Sequence, residues 1–156
     1  MNLKKAFKIA ERNSIALGHF NVSGLETFEA VVRAGKKART PVIVGVSEGA
    51  IEHCGLDFFI WAKEYLKNKY KSDFYLHLDH GKDIDIINRA IREGFDSVMF
   101  DGSAYELEKN IFLTKSIVRL AHKYDVLVEA EVGRVGGAEE SAISKEIIYT
   151  DPYDAR

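Results

Sequence analysis

The sequence predicts an α/β protein built on a parallel sheet of about five strands with flanking helices. Three observations carry this. Short apolar runs alternate with longer stretches whose apolar residues recur at helical spacing. The runs begin roughly two to three dozen residues apart, the rhythm of βα units rather than of hairpins. One run, Val42-Ile43-Val44-Gly45-Val46, is apolar and β-branched almost throughout, as in a strand covered on both faces.

The elements follow in order. Leu3, Phe7, Ile9 and Ala10 share one side of a short amphipathic helix ending near Asn13. Ile15 to Asn21 reads as a strand. Ser23-Gly24-Leu25-Glu26 then has the pattern of a capping box, in which hydroxyl and carboxylate satisfy the free amides of a helix start. The helix it opens carries Leu25, Phe28, Val31, Val32 and Ala38, with Lys36, Lys37 and Arg39 at its negative end. Pro41 stops it, the Val42–Val46 strand follows, and Ser47-Glu48-Gly49 reads as a turn. Residues 51 to 70 are mostly helical, with a break near Gly55. The next strand starts at Phe74 and ends at Asp79-His80, where Gly81 breaks it. Asp83 to Glu93 is a helix closed by Gly94. Ser97 to Phe100 is a short strand ending at Asp101. Ser103-Ala104-Tyr105-Glu106 repeats the capping-box pattern before a helix from Leu107 to Ala121. Val126 to Val132 is the last strand, and a glycine-bearing loop, Gly133 to Gly137, follows it.

With 156 residues the chain suits one domain, 1–156. A hydrophobic share of 46% and a charged share of 29% describe a soluble globular protein. The net charge of −2 is made of well-mixed signs, so no basic face awaits nucleic acid or a membrane surface. A small anionic substrate would be held locally, by glycine-rich backbone, helix starts and single side chains. The lone Cys54 excludes an internal disulfide and suits the cytoplasm. The first dozen residues lack a signal-peptide core, and no apolar run approaches transmembrane length. Thr150-Asp151-Pro152 reads as a helix start with one turn to follow, so the chain is expected to be the amino-terminal portion of a larger βα array. Five units fall short of the eight that close a barrel.

Chemistry gathers at the strand ends. Asp79, Asp101 and Glu131 close three successive strands, and neighbouring strands lie about 4.8 Å apart, so their ends can converge. Crowded carboxylates raise each other's pKa unless a cation sits between them. A divalent metal beside His80 accounts for the group; imidazole favours zinc among common metals. As an isolated pair, Asp79 and His80 also read as a helix cap and a hydrogen-bonded core histidine. Strand alternation puts Glu129 and Glu131 on one face, either toward such a site or toward solvent at a sheet edge. Glu139 and Glu140 sit on a loop expected to move: a loop carboxylate can carry a proton in and out, or merely form a solvated turn. Asn21 and Ser47 end the first two strands, as ligands for a substrate oxygen or phosphate or as turn and cap residues. His19, His53, His77 and His122 read as structural or surface histidines. A Schiff-base lysine has no well-placed candidate, since Lys82 lies past a strand and Lys115 on a helix.

Several stretches together resemble the class II, metal-dependent fructose-bisphosphate aldolases and the closely similar tagatose-bisphosphate aldolases. They are Gly18-His19-Phe20-Asn21-Val22, Pro41-Val42-Ile43-Val44, Leu76-His77-Leu78-Asp79-His80, Ser97-Val98-Met99-Phe100-Asp101-Gly102-Ser103 and Glu129-Ala130-Glu131-Val132-Gly133 with Gly136-Gly137. The resemblance implies a (β/α)8 barrel of the TIM family, here incomplete, and the reversible cleavage of fructose-1,6-bisphosphate to dihydroxyacetone phosphate and glyceraldehyde 3-phosphate. It implies His80 as a ligand of catalytic Zn2+, Asp101 and Glu131 as ligands of an additional or alternative divalent metal, and Asp79 as catalytic acid/base. It also implies Glu139 as a proton shuttle, and Asn21 and Ser47 as substrate contacts. A sugar bisphosphate is then the partner, and the full-length enzyme a homo-oligomer, dimer or tetramer. In the family the remaining zinc-binding histidines lie in the second half of the barrel, and no histidine follows His122 here. A non-catalytic half-barrel that needs a complementary chain is the other reading.

Overall fold

The computed structural model describes residues 1–134, 137–139, 142–144 and 147–155, with backbone alone for 137–139 and 142–144. The chain opens with α1 (Leu3–Arg12), capped by the Asn2 side chain, which accepts from the Lys5 amide. Then come β1 (His19–Asn21), α2 (Leu25–Ala38), β2 (Val42–Ser47), α3 (Glu48–Cys54), α4 (Leu56–Tyr70) and β3 (Phe74–Gly81). α5 (Ile84–Glu93), β4 (Ser97–Phe100), α6 (Leu107–Ala121) and β5 (Leu127–Ala130) complete the repeat, and β6 (Gly137–Glu139) pairs antiparallel with β7 (Ala142–Ser144).

The five strands β1 to β5 form one parallel sheet in sequence order. A strictly sequential order has no switch point at which the winding reverses, so the sheet belongs to the barrel kind of βα protein rather than the doubly wound kind. Alternation divides it into two faces. Val42, Val44, Val46, Phe74, Leu76, Leu78, Val98 and Phe100 point outward and pack against Phe28, Val32, Phe59, Leu66, Ile87 and Ile117. On the inner face, Ile43 and Tyr75 pack with Leu3 and Ala6 of α1, flanked by Leu17 and Leu127. Farther toward the carboxyl ends the inner positions turn polar: Asn21 lies across from Gly45, Gly45 from His77, and His77 from Ser97. A partly buried ion pair joins α4 to the sheet: Lys63 Nζ lies 2.7 Å from Asp96, which also accepts the Leu76 amide at 2.8 Å.

Local expectations fail at both capping boxes, at the Ser47 turn and at the ends of two strands. Neither capping box forms: the cap position of α2 is Gly24 and that of α6 is Glu106, and neither helix has a side-chain cap. At α2 the Ser23 amide instead donates to Thr27 Oγ1, which itself donates to the Gly24 carbonyl. Ser47-Glu48-Gly49 is no free turn but the start of α3, with the Ser47 hydroxyl accepting the Ala50 amide at 3.3 Å. β1 is shorter than residues 15–21 and β5 shorter than 126–132, because an edge strand is paired on one side only. The loop after β5 holds the β6–β7 ribbon, with Glu139 opposite Ala142; Glu140 and the Glu139 side chain lie outside the described residues.

Candidate functional site

The polar inner face ends at a kink in β3. The β3–β4 register shifts between Leu78 and Gly81, and His80 adopts a left-handed backbone at φ 49°. That conformation costs a β-carbon-bearing residue about 1–3 kcal/mol and is held only where its surroundings enforce it. Gly81 is one enforcing element: a Cβ there would stand 2.8 Å from the Met99 carbonyl oxygen. Regular alternation would turn His80 to the outer face with Leu78; the kink instead brings it to the strand-end rim, where it and Asp79 serve two different groups.

His80 turns toward β4 and β5. Its Nδ1 lies 3.5 Å from Asp101 Oδ2 and 3.5 Å from Glu131 Oε2. One donor atom from each of the three residues falls within 4.8 Å of the others. A single ring N–H cannot serve two carboxylates at once, and both distances are long for hydrogen bonds. A dication fits: Zn–N and Zn–O bonds of about 2.0–2.2 Å would bring the donors to roughly 3.3 Å apart. One imidazole and two carboxylates make a donor set that zinc accepts, with coordination positions left open. Asp101 is 5% exposed and accepts the Ser103 amide at 3.1 Å, with Lys82 Nζ 3.6 Å away. Burial raises its pKa, but the Ser103 hydrogen bonds, the Lys82 charge and His80 outweigh that and hold it below the usual carboxylate value. Glu131 is fixed through its backbone, since buried Asn110 donates to its carbonyl at 2.8 Å. A cleft of about 830 Å³ opens over His80, Glu129 and Glu131, within the size range of small-molecule sites.

Asp79 turns the other way. Asn21 Nδ2 donates to Asp79 Oδ2 at 2.7 Å, and donor atoms of His19, His77 and Asp79 lie within 4.8 Å of one another. The His19 and His77 rings meet edge to face at 5.0 Å. Gly45 makes this possible: a Cβ on it would land on Asn21 Oδ1 and His19 Nε2. Burial first, then the facing His19, push His77 down to about 4.

Of the residues singled out from sequence, His80, Asp101 and Glu131 therefore converge, and Asp79 pairs with Asn21. Ser47 caps α3, and Glu129 is exposed on β5 with its carboxylate 3.7 Å from His77 Nε2. Asp79 is not part of the metal-type group that three crowded strand ends suggested, because its carboxylate is held by Asn21 on the side of His19 and His77. Sequence reasoning missed His19, His77, Asn110 and Glu48, whose carboxylate accepts the Lys82 and Asp83 amides at 2.7 Å each. A signal existed for the two histidines: each stands two positions before a strand-end polar residue, hence on the same face.

The family description "Fructose-bisphosphate aldolase class-II" matches residues 1–156. A Bacillus subtilis protein named a probable fructose-bisphosphate aldolase is 36% identical over 159 aligned residues, covering 100% of this chain and 56% of its own length. The crystal structure of the YdjI aldolase from Escherichia coli K12 is 30% identical, with a TM-score of 0.80 over 99% of this chain and 55% of that one. A crystal structure of a presumed fructose-1,6-biphosphate aldolase from Coccidioides immitis superposes at a TM-score of 0.88 and 28% identity, again over 99% and 55%. The chain thus spans about half the length of the relatives it matches.

Proposed function

The chain belongs to the class II fructose-bisphosphate aldolase family, and from that premise we propose that it carries out the reversible, zinc-dependent cleavage of fructose-1,6-bisphosphate in cytoplasmic sugar metabolism. The observation that carries the reading is the division of labour at the kink. His80, Asp101 and Glu131 form a metal-type donor group, while the adjacent Asp79 is kept apart from it as a carboxylate held by Asn21. When bound by His80, Asp101 and Glu131, a dication would supply Lewis-acid polarisation of the substrate carbonyl.

The proton work falls to the chain. Asp79 takes the proton of the C4 hydroxyl as the C3–C4 bond breaks, and returns it to the aldehyde oxygen in condensation. The Asn21 amide donates to one carboxylate oxygen and so orients the other toward the substrate. Glu139, two residues past the glycine pair, delivers or removes the proton on the carbon of dihydroxyacetone phosphate. Ser47 and Asn21 contact substrate oxygens, and Ser47 keeps its place through its cap on α3.

Steady-state cleavage of fructose-1,6-bisphosphate and of tagatose-1,6-bisphosphate, with chelator and after zinc is restored, tests the reading. Asp79→Ala is expected to lower kcat about 10²–10⁴-fold, the range of general acid–base catalysis. Near-normal turnover in that variant rejects the assignment, and faster turnover of tagatose bisphosphate reassigns the sugar.

A second reading is favoured by the sheet edges. All three residues of β1 are exposed, and the last two of β5 are as well. Such edges pair with further strands, so the working unit would be this chain joined to a complementary one. Size measurement with and without that partner separates the two readings.

A further inference from the structure

We propose that His19, His77 and Asp79 form a second dication site, built from donors other than the His80–Asp101–Glu131 group and suited to zinc-like ions. Two imidazoles and one carboxylate, with one donor atom each within 4.8 Å of the others, are a borderline-soft set. The decisive atom is His77 Nε2. His77 is 3% exposed, and its Nδ1 is engaged by Ser97 Oγ at 2.8 Å. That leaves Nε2 buried without a hydrogen-bond partner among the described residues. Glu129 stands 3.7 Å from it, too far for a hydrogen bond. A histidine whose other nitrogen is tied to a hydroxyl is oriented the way metal-binding histidines are. A buried, unpaired ring nitrogen is costly, and an ion there would satisfy it.

Two further features fit. Asn21 holds Asp79 from the side, at 2.7 Å, as an outer partner fixes a ligating carboxylate. Gly45, in a strand otherwise made of valine, isoleucine and serine, leaves the gap through which His19 of β1 reaches His77 of β3 across β2. Packing alone would favour a β-branched residue at that position. A cation there would also compensate the half-buried Asp79 carboxylate. The consequence for turnover rests on the function proposed above: an Asp79 carboxylate engaged by an ion cannot accept a proton, so dication beyond the first equivalent inhibits.

The test is Co2+ uptake by chelator-stripped protein, followed by equilibrium dialysis and visible absorption. The parent is expected to bind two ions per chain and both His19→Ala and His80→Ala one, the double variant losing both. His19 is exposed, so its removal spares the core; His77→Gln is a second probe of the same site, and circular dichroism checks folding. Binding in His19→Ala equal to the parent, or a single parental ion that vanishes in His80→Ala, overturns the second site. A single parental ion that vanishes in His19→Ala and survives in His80→Ala supports it and removes the first group instead. Excess Zn2+ inhibiting the parent but at least tenfold less effective on His19→Ala supports the consequence; equal inhibition of both overturns it, whatever the catalytic role of Asp79.

Discussion

Gly45→Ala isolates the contribution of one missing side chain. Its φ is ordinary for a strand, so the substitution brings no backbone strain, and alanine is if anything better there by about 0.5–1 kcal/mol. The new methyl group would overlap Asn21 Oδ1 and His19 Nε2. Both are tips of side chains on the exposed strand β1, free to swing away. Folding stability should therefore change by less than about 1.5 kcal/mol, below the usual penalty for overpacking a closed core. Asn21, however, cannot swing and still donate at 2.7 Å to Asp79. A hydrogen bond to a charged group contributes about 1.5–3 kcal/mol. At about 1.4 kcal/mol per tenfold, kcat/KM is expected to fall roughly 10- to 150-fold. Coupled kinetics and urea unfolding on the same preparation read both quantities. Parental kcat/KM with parental stability would refute the idea that Gly45 makes room for the Asn21–Asp79 contact; a large stability loss would refute the claim that β1 yields.

Three other outcomes follow from the packing. Asn110→Ala removes the donor to the Glu131 carbonyl, and metal affinity at the His80 group should weaken about tenfold, as for other partners of metal ligands, read by competition with a chromophoric chelator. Lys63→Met strands Asp96, now compensated at 2.7 Å, and should cost about 2–3 kcal/mol of stability in denaturant unfolding, less than a fully buried pair because Asp96 is 21% exposed. In chelated protein, His77 stays neutral down to about 4 while the unfolded chain's histidine takes its proton near 6.5. The unfolded state thus binds more protons in that window, and stability falls as pH drops from 6.5 toward 4, by about 3 kcal/mol in all. Urea midpoints across that range should flatten in His77→Gln.

The βα rhythm is a local property, written in runs such as Val42–Val46 and in helix stops such as Pro41 and Gly94, so it was legible in advance. His80, Asp101 and Glu131 were legible for the same reason: each is a polar residue closing an apolar run. The capping boxes misled because a Ser-x-x-Glu pattern at residues 23–26 competes with a Thr27 hydroxyl that reaches the same backbone.

What the sequence by itself determined is which residues stand at the carboxyl ends of the strands, since periodicity and chain breaks settle that residue by residue. Which of those residues share a site was decided only by the tertiary structure. The left-handed turn at His80 brings to the rim of Asp101 and Glu131 a side chain that alternation would turn outward, and the absent side chain at Gly45 lets His19 meet His77 across an intervening strand. Both depend on the register between strands distant in sequence, and register belongs to the assembled sheet rather than to any single strand.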